Sequence, residues 1–186
     1  MKTFDVIALG ELNVDLILNR IAGFPEVGKE IFARDMICTL GSSTAIFAAN
    51  VSALGARTAF AGMIGRDAFG ELVRGSLEAR GVDTRYVIEA ADRATGVTVV
   101  MSYGEDRANV TYPGAMEALR FADLDPEIFL SARHIHLSSL FMQPGLLADI
   151  VPILRAAHDG GATVSLDTQW DPAEEWRIDC REVLPL

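Results

Sequence analysis

Asn13 and Asp15 stand two residues apart, just past the apolar run Val6 to Leu9 that Gly10 closes. A carboxylate at the C-terminal end of a parallel strand accepts two hydrogen bonds from vicinal hydroxyls, and an adjacent amide adds a donor and an acceptor. Gly41, Ser42 and Ser43 form a second element of this kind. Small residues at a helix start leave backbone N–H groups uncovered, and the helix dipole favours an oxygen there. The plain alternatives are a surface-turn aspartate and an ordinary helix N-cap. His134 and His136 lie two apart on a strand and share a face. That spacing suits a metal, but a third ligand is not evident, and histidines satisfied by hydrogen bonds within a sheet are the commoner arrangement. Gly160-Gly161 precedes a strand instead of opening a helix, so it reads as a helix stop and not as a phosphate loop.

The elements that must position these residues alternate between strand and helix. Val6 to Leu9 reads as a buried parallel strand, and residues 16 to 40 break at Gly23, Pro25 and Gly28 as short projecting strands do. Thr44 to Leu54 is apolar at helical spacing, with small side chains that permit close approach to a sheet. Thr58 to Met63 reads as a strand, and Asp67 as the cap of a helix running to about Arg80 and ended by Gly81. Gly96 to Tyr103 and Asn109 to Tyr112, joined through Gly104-Glu105-Asp106-Arg107, read as a hairpin. A short helix from Asp125-Pro126 to Ala132 leads into a strand from Arg133 to Leu137. Leu146 to His158 is helical, with Pro152 either kinking it or beginning its second part, and Thr163 to Asp167 is the last clear strand. The alternation predicts an α/β fold built on a parallel sheet.

Bulk properties narrow the function. A chain of 186 residues at 50% hydrophobic composition has material for one domain with a core. A net charge of −10 leaves no basic surface for nucleic acid, and weakly favours a neutral ligand over a phosphorylated one. Cys38 and Cys180 stand far apart with no CxxC or His-spaced pattern, which suits a reducing cytoplasm and signals neither a disulfide framework nor a zinc site. The N-terminus enters a strand directly, without a signal-type apolar stretch, and no segment reaches membrane-helix length. The first strand-to-helix turn, Gly10-Glu11-Leu12-Asn13, lacks the glycines that admit a dinucleotide pyrophosphate, which argues against an oxidoreductase.

The stretch from Gly41-Ser42-Ser43-Thr44-Ala45 through Asn50 to Gly55-Ala56, and on to Gly62-Met63-Ile64-Gly65-Arg66-Asp67-Ala68-Phe69-Gly70, resembles the first signature of the ribokinase-like, or PfkB, carbohydrate kinases. The spacing from Gly10 to Asp15 matches the family's Gly-x-x-x-x-Asp element, and the resemblance runs from about residue 5 to the last residue. It implies a ribokinase-like parallel sheet flanked by helices, with a small β lid formed by segments of about 12–40 and 95–113. It also implies ATP-dependent phosphoryl transfer to a sugar hydroxyl, with ATP and Mg2+ as cofactors and a small-molecule sugar as partner. Asp15, with Asn13, would hold sugar hydroxyls, and Arg107 and Thr95-Gly96 would reach over the sugar from the lid. Asp167-Thr168-Gln169-Trp170-Asp171 is similar to the family's Asp-x-Asn-x-Arg or related element, a resemblance that implies a place lining the nucleotide and substrate cleft. Gln169 there replaces an Asn as a two-sided hydrogen bonder, whereas Asp171 stands where Arg is frequent and cannot neutralise phosphate. The family's common Gly-Gly is Gly41-Ser42 here, and Ile46 occupies the position of a polar Asn.

The family's catalytic Asp lies in a Gly-Ala-Gly-Asp type motif, and no such motif occurs here. Residues 1–186 therefore resemble the substrate-binding front part of such a kinase, with the main ATP-binding and catalytic part absent and no catalytic residue of their own. The alternative is a non-catalytic sugar-binding or dimerisation module whose lid sheet pairs two copies through its open edge. Loss of the remaining strands would leave the sheet open beside Thr163 to Asp167, so that the chain self-associates.

Overall fold

The computed structural model describes residues 2–186. In chain order its strands and helices are β1 (Phe4–Leu9), β2 (Asn13–Asn19), β3 (Asp35–Leu40), α1 (Ser43–Ala53), β4 (Thr58–Gly65), α2 (Ala68–Glu78), β5 (Asp83–Ala90), β6 (Gly96–Tyr103), β7 (Asp106–Tyr112), α3 (Glu127–Ser131), β8 (Ala132–Ser138), α4 (Pro144–Ala148), α5 (Ile150–Asp159), β9 (Thr163–Asp167) and α6 (Cys180–Val183). Short 3-10 turns at Gly114–Ala118, Phe121–Asp123 and Leu140–Met142 complete the path. The main sheet has the order β5-β4-β1-β8-β9 and is parallel throughout. Side chains alternate across it. Ile7 and Leu9 of β1 point into one apolar layer with Ile135, Leu137, Ile153 and Leu154, while Ala8 points into the other with Phe60, Ile64, Ala45, Ala48 and Leu77. Burial on both faces explains why β1 and β4 read as continuous apolar runs.

A second sheet, β3-β2-β6-β7, stands off the first. Its central pair β2 and β6 is parallel, and both flanking pairs are antiparallel. β2 and β3 come from the first expected lid segment, and β6 and β7 from the second. The β6–β7 turn is tighter than the sequence implied. Tyr103 pairs with Asp106, leaving only Gly104 and Glu105 as the loop, and Gly104 supplies the positive φ of 61° that such a turn requires. Arg107 accordingly lies on a strand and not at the tip.

Three other elements differ from expectation. β5 was not anticipated: as an edge strand it carries Asp83, Arg85 and Glu89, so its apolar alternation is diluted. The helix expected over Leu146 to His158 is two helices broken at Asp149, whose carboxylate turns out to bind Arg120 and the Phe121 amide. Pro152 sits in the first turn of α5, where a missing N–H costs no helical bond. Asp15 is not in a turn after β1 but within lid strand β2. α2 begins where its sequence demands: the Asp67 carboxylate accepts from the Gly70 N–H at 2.8 Å and from the Thr95 N–H at 2.7 Å, tying the helix start to the base of the lid.

Candidate functional site

Between the lid sheet and the C-terminal ends of the main-sheet strands lies a cleft of about 390 Å³. Period-two alternation places Asn13, Asp15 and Ile17 of β2 on the lid face that lines it, with Thr98 and Val100 of β6 and Arg107, Asn109 and Thr111 of β7. The opposite wall comprises Glu11 after β1, Ser42, Ser43 and Ile46 at the start of α1, Ser139 after β8 and Gln169 after β9. Six of the seven residues singled out in the sequence (Asn13, Asp15, Ser42, Ser43, Arg107 and Gln169) line this one cleft, although they come from four separate stretches of chain.

The seventh, Gly41, lies against Asp15 itself. A side chain there would overlap Asp15 Oδ1, with its Cβ 2.6 Å from Asp15 Cγ and 2.9 Å from Asn13 Nδ2. Only glycine leaves the carboxylate room. Asn13 Nδ2 donates to Asp15 Oδ1 at 3.2 Å and to Thr98 Oγ1 at 2.9 Å, and Thr98 in turn bonds Thr111 at 3.0 Å. The Asp15 carboxylate is thus held at one oxygen. Its pKa is raised above the usual carboxylate value, chiefly by burial; the Asn13 hydrogen bond and the charge of Arg107 act in the other direction.

The start of α1 differs from expectation in an informative way. Its Thr44 and Ala45 amides are not left for a ligand, because Glu11 takes the first and Ser42 Oγ the second. The buried Glu11 carboxylate accepts from the Thr44 N–H at 3.1 Å, from Ser43 Oγ at 2.9 Å, from Gln143 Nε2 at 3.3 Å and from the Thr44 hydroxyl. Ser42 Oγ accepts from the Ala45 N–H at 3.1 Å while donating to the Glu11 carbonyl at 2.6 Å, and it does so from a strained φ of 70°. An internal carboxylate therefore sits at the positive end of the helix dipole and fixes the β1–α1 junction. Ser43 also bonds Ser138 and Ser139 at 2.8 and 2.7 Å, so the ends of β1 and β8 and the start of α1 are joined in one polar cluster. Sequence reasoning passed over Glu11; its signal was a charged residue directly after a buried strand, where a carboxylate must find donors.

Two further expectations are corrected. Asp171 does not face the cleft: it is buried and accepts from the backbone N–H groups of Ala173, Glu175 and Trp176, pinning the loop after β9. These bonds hold its pKa below the ordinary value despite the opposing effect of burial, which is the largest single influence. Thr95 is likewise buried, its hydroxyl accepting from the Gly65 N–H at 2.9 Å, so it anchors the lid and does not reach over it. Gln169 has φ 54° and donates from both its backbone N–H and Nε2 to Asp167, which aims the residue at the cleft.

His134 and His136 form a ladder across to β9. Thr163 Oγ1, His134, Ser165 Oγ and His136 are linked by hydrogen bonds of 2.8 Å, and His136 stacks on Phe47 with ring centroids 3.8 Å apart. Both imidazoles are pushed toward the neutral form, first by burial. Among the described residues no helix is long and apolar enough to cross a membrane.

The fold recurs in solved kinases. The chain superimposes on the fructokinase of Halothermothrix orenii with TM-score 0.79 at 23% identity, over 96% of this chain and 63% of that one. A fructokinase with bound ATP from Xylella fastidiosa gives 0.77 at 22% identity, over 97% and 57%. Among curated proteins, a probable fructokinase-3 of Arabidopsis thaliana is 34% identical over 154 residues, 77% of this chain and 44% of its own length. A nucleoside kinase of Methanothermobacter thermautotrophicus is 29% identical over 136 residues, 73% of this chain and again 44% of its own. The chain thus spans about half the length of the curated relatives it matches. The family model described as pfkB family carbohydrate kinase matches residues 3–186, and with a parallel sheet, a β lid and a polar cleft between them, the chain belongs to that family.

Proposed function

We propose that the cleft binds a sugar whose hydroxyl receives the terminal phosphoryl group of ATP, and that this chain supplies the sugar-binding part of that reaction. The observation that carries the reading is the convergence of Asn13, Asp15, Ser43, Arg107 and Gln169 on one hollow under the lid. Asp15 has an oxygen to accept from sugar hydroxyls, Asn13 orients it, and the lid face beside it adds Thr98, Asn109 and Thr111. Positioning of this kind is one of the principal contributions a protein makes to phosphoryl transfer.

The residues lining the cleft do not fit a triphosphate. Glu11 and Asp15 face one guanidinium, that of Arg107, and the α1 helix start already holds a carboxylate. In this reading ATP and its Mg2+ are held by other residues, as is the base that takes the hydroxyl proton, and the 186-residue chain alone positions a sugar without turning it over. The test is a coupled assay for ADP with a sugar panel, alongside calorimetric titration of the same sugars. Saturable heat with at least one sugar and no ADP above background is expected. ADP formation would refute the inactivity, and absence of heat with every sugar would refute the site.

A second reading, a dimerisation module, has its own support. The lid face turned from the cleft carries Leu18, Met36, Met101 and Val110, with Met36 and Val110 exposed, and among the described residues the outer strands β3 and β7 each have an edge without a partner strand. A cytoplasmic site of action completes the proposal and agrees with two free cysteines.

A further inference from the structure

The histidine pair of β8 does not line the cleft. His134 and His136 lie on the α1 side of the sheet, with Thr163, Ser165 and Asp167 of β9 on the same face. The Thr163 hydroxyl donates to the Arg133 carbonyl at 3.5 Å and so accepts from His134 Nδ1–H. His134 Nε2 is then bare and accepts from the Ser165 hydroxyl, whose oxygen accepts in turn from His136 Nδ1–H, both at 2.8 Å. Every bond of this ladder is made when both rings are neutral and carry their proton on Nδ1. Phe47 of α1 covers one face of His136.

The surroundings offer little to a pair of positive rings. α1 has no ionisable side chain, and β1 contributes Val6 and Ala8 beside the two histidines. Asp5 of β1 and Arg133 of β8 alternate to the opposite face, where they lie 3.7 Å apart. Asp167 of β9 shares the histidines' face, but its oxygens already accept from the backbone N–H and Nε2 of Gln169. Burial opposes a proton on either ring; the charge of His134 adds to this at His136, and that of Asp167 acts the other way. Two protonated rings would both donate to the Ser165 oxygen, leave its hydroxyl proton without His134 as acceptor, and set two cations side by side at a half-buried place. Among the described residues β9 has a partner strand on one side only, so its hydrogen-bonded hold on the sheet comes from β8 and this ladder.

From this geometry we infer that His134, Ser165 and His136 form a pH-dependent clasp, which holds edge strand β9 against β8 while both rings are neutral and releases it when they are protonated. Gln169 follows β9 by two residues, so its place on the cleft depends on the clasp. The folded rings titrate below the ordinary 6.5, and the closed strand therefore binds fewer protons than the open one. The clasp is complete above that value and is lost as pH falls below it toward the folded values.

Hydrogen exchange in the 186-residue chain at about pH 7.5 and about pH 5.5, corrected for the intrinsic pH dependence of exchange, tests the clasp. Protection of the β9 amides bonded to β8 is expected to fall about tenfold or more on acidification, while β1 and β4 keep theirs. In His134→Gln/His136→Asn, which retains neutral hydrogen-bonding groups, the drop should shrink to about twofold or less. A nitrogen NMR titration of the wild-type imidazoles does not depend on that variant folding, and should find both rings neutral with Nδ1 protonated at the upper pH and midpoints below 6.5. Unchanged β9 protection overturns the inference, as does a drop shared in full by β1 and β4, a drop the variant retains, or rings that titrate at or above 6.5.

Discussion

At the scale of single residues, one carboxylate should produce two opposite pH responses. Asp15 is less acidic in the folded chain than in the unfolded one because burial penalises its charge. The folded state therefore binds more protons in the window that opens at the ordinary value of 3.8, and this group's contribution to stability falls as pH rises through that window. Asp15→Asn should raise the melting temperature at neutral pH, and the difference should vanish on acidification below that window. Sugar affinity should run the other way, rising with pH through the raised Asp15 pKa and then levelling, because the ionised form is the better acceptor for hydroxyls. On the proposed sugar site, Asp15→Ala should remove a charge-assisted hydrogen bond worth about 1.5–3 kcal/mol, a loss of ~10–100-fold in affinity by titration. Gly41→Ala should cost a comparable factor without touching the sugar directly, since the new methyl displaces Asp15 and Asn13. Glu11→Ala, by contrast, should act on stability, lowering the free energy of unfolding by the ~1–3 kcal/mol of donors left buried and unpaired, read as a lower denaturant midpoint.

At the scale of elements, the cleft exists because two sheets of different construction meet. β1 and β8 end at the polar cluster around Glu11 and Ser43, while β2, β6 and β7 present alternate residues to it from above. The lid is tied down by Asp67, which caps α2 and holds the Thr95 amide, and the loop after β9 is tied down by Asp171. Asp171→Ala should therefore speed hydrogen exchange at the Ala173, Glu175 and Trp176 amides while leaving β8 protected. Much of this layer was legible in the sequence, for a physical reason: β4 is buried throughout and β1 largely so, which gives continuous apolar runs, and α1 buries Thr44, Ala45, Ala48 and Ala49 at helical spacing. β5 was not legible, because an edge strand mixes charge into its pattern. The Gly10 to Asp15 spacing singled out Asp15, which lines the cleft, but its place in a lid strand depends on pairing with Thr39 and Thr98, which are remote in sequence. Glu11 and Asp171 were misjudged or missed because their roles are set by which backbone amides the fold brings to them, and no local pattern records that.

At the scale of the whole molecule, the main sheet ends at β9, whose outer edge carries no partner strand among the described residues. Its His134–Ser165–His136 ladder and the exposed Trp170 lie on or beside that edge. Together with the apolar outer face of the lid, this gives two surfaces that favour association. Light scattering after size exclusion should find oligomers whose population rises with concentration; a monodisperse monomer with one cooperative melt would contradict this. The central claim is narrower, that residues converging under the lid hold a polyol through Asp15. Its most direct test is calorimetric titration of the sugar panel into the wild-type chain and into Asp15→Ala. One saturable site in the wild type, weakened about tenfold or more by the substitution, is the expected result; equal affinity in both proteins would contradict it.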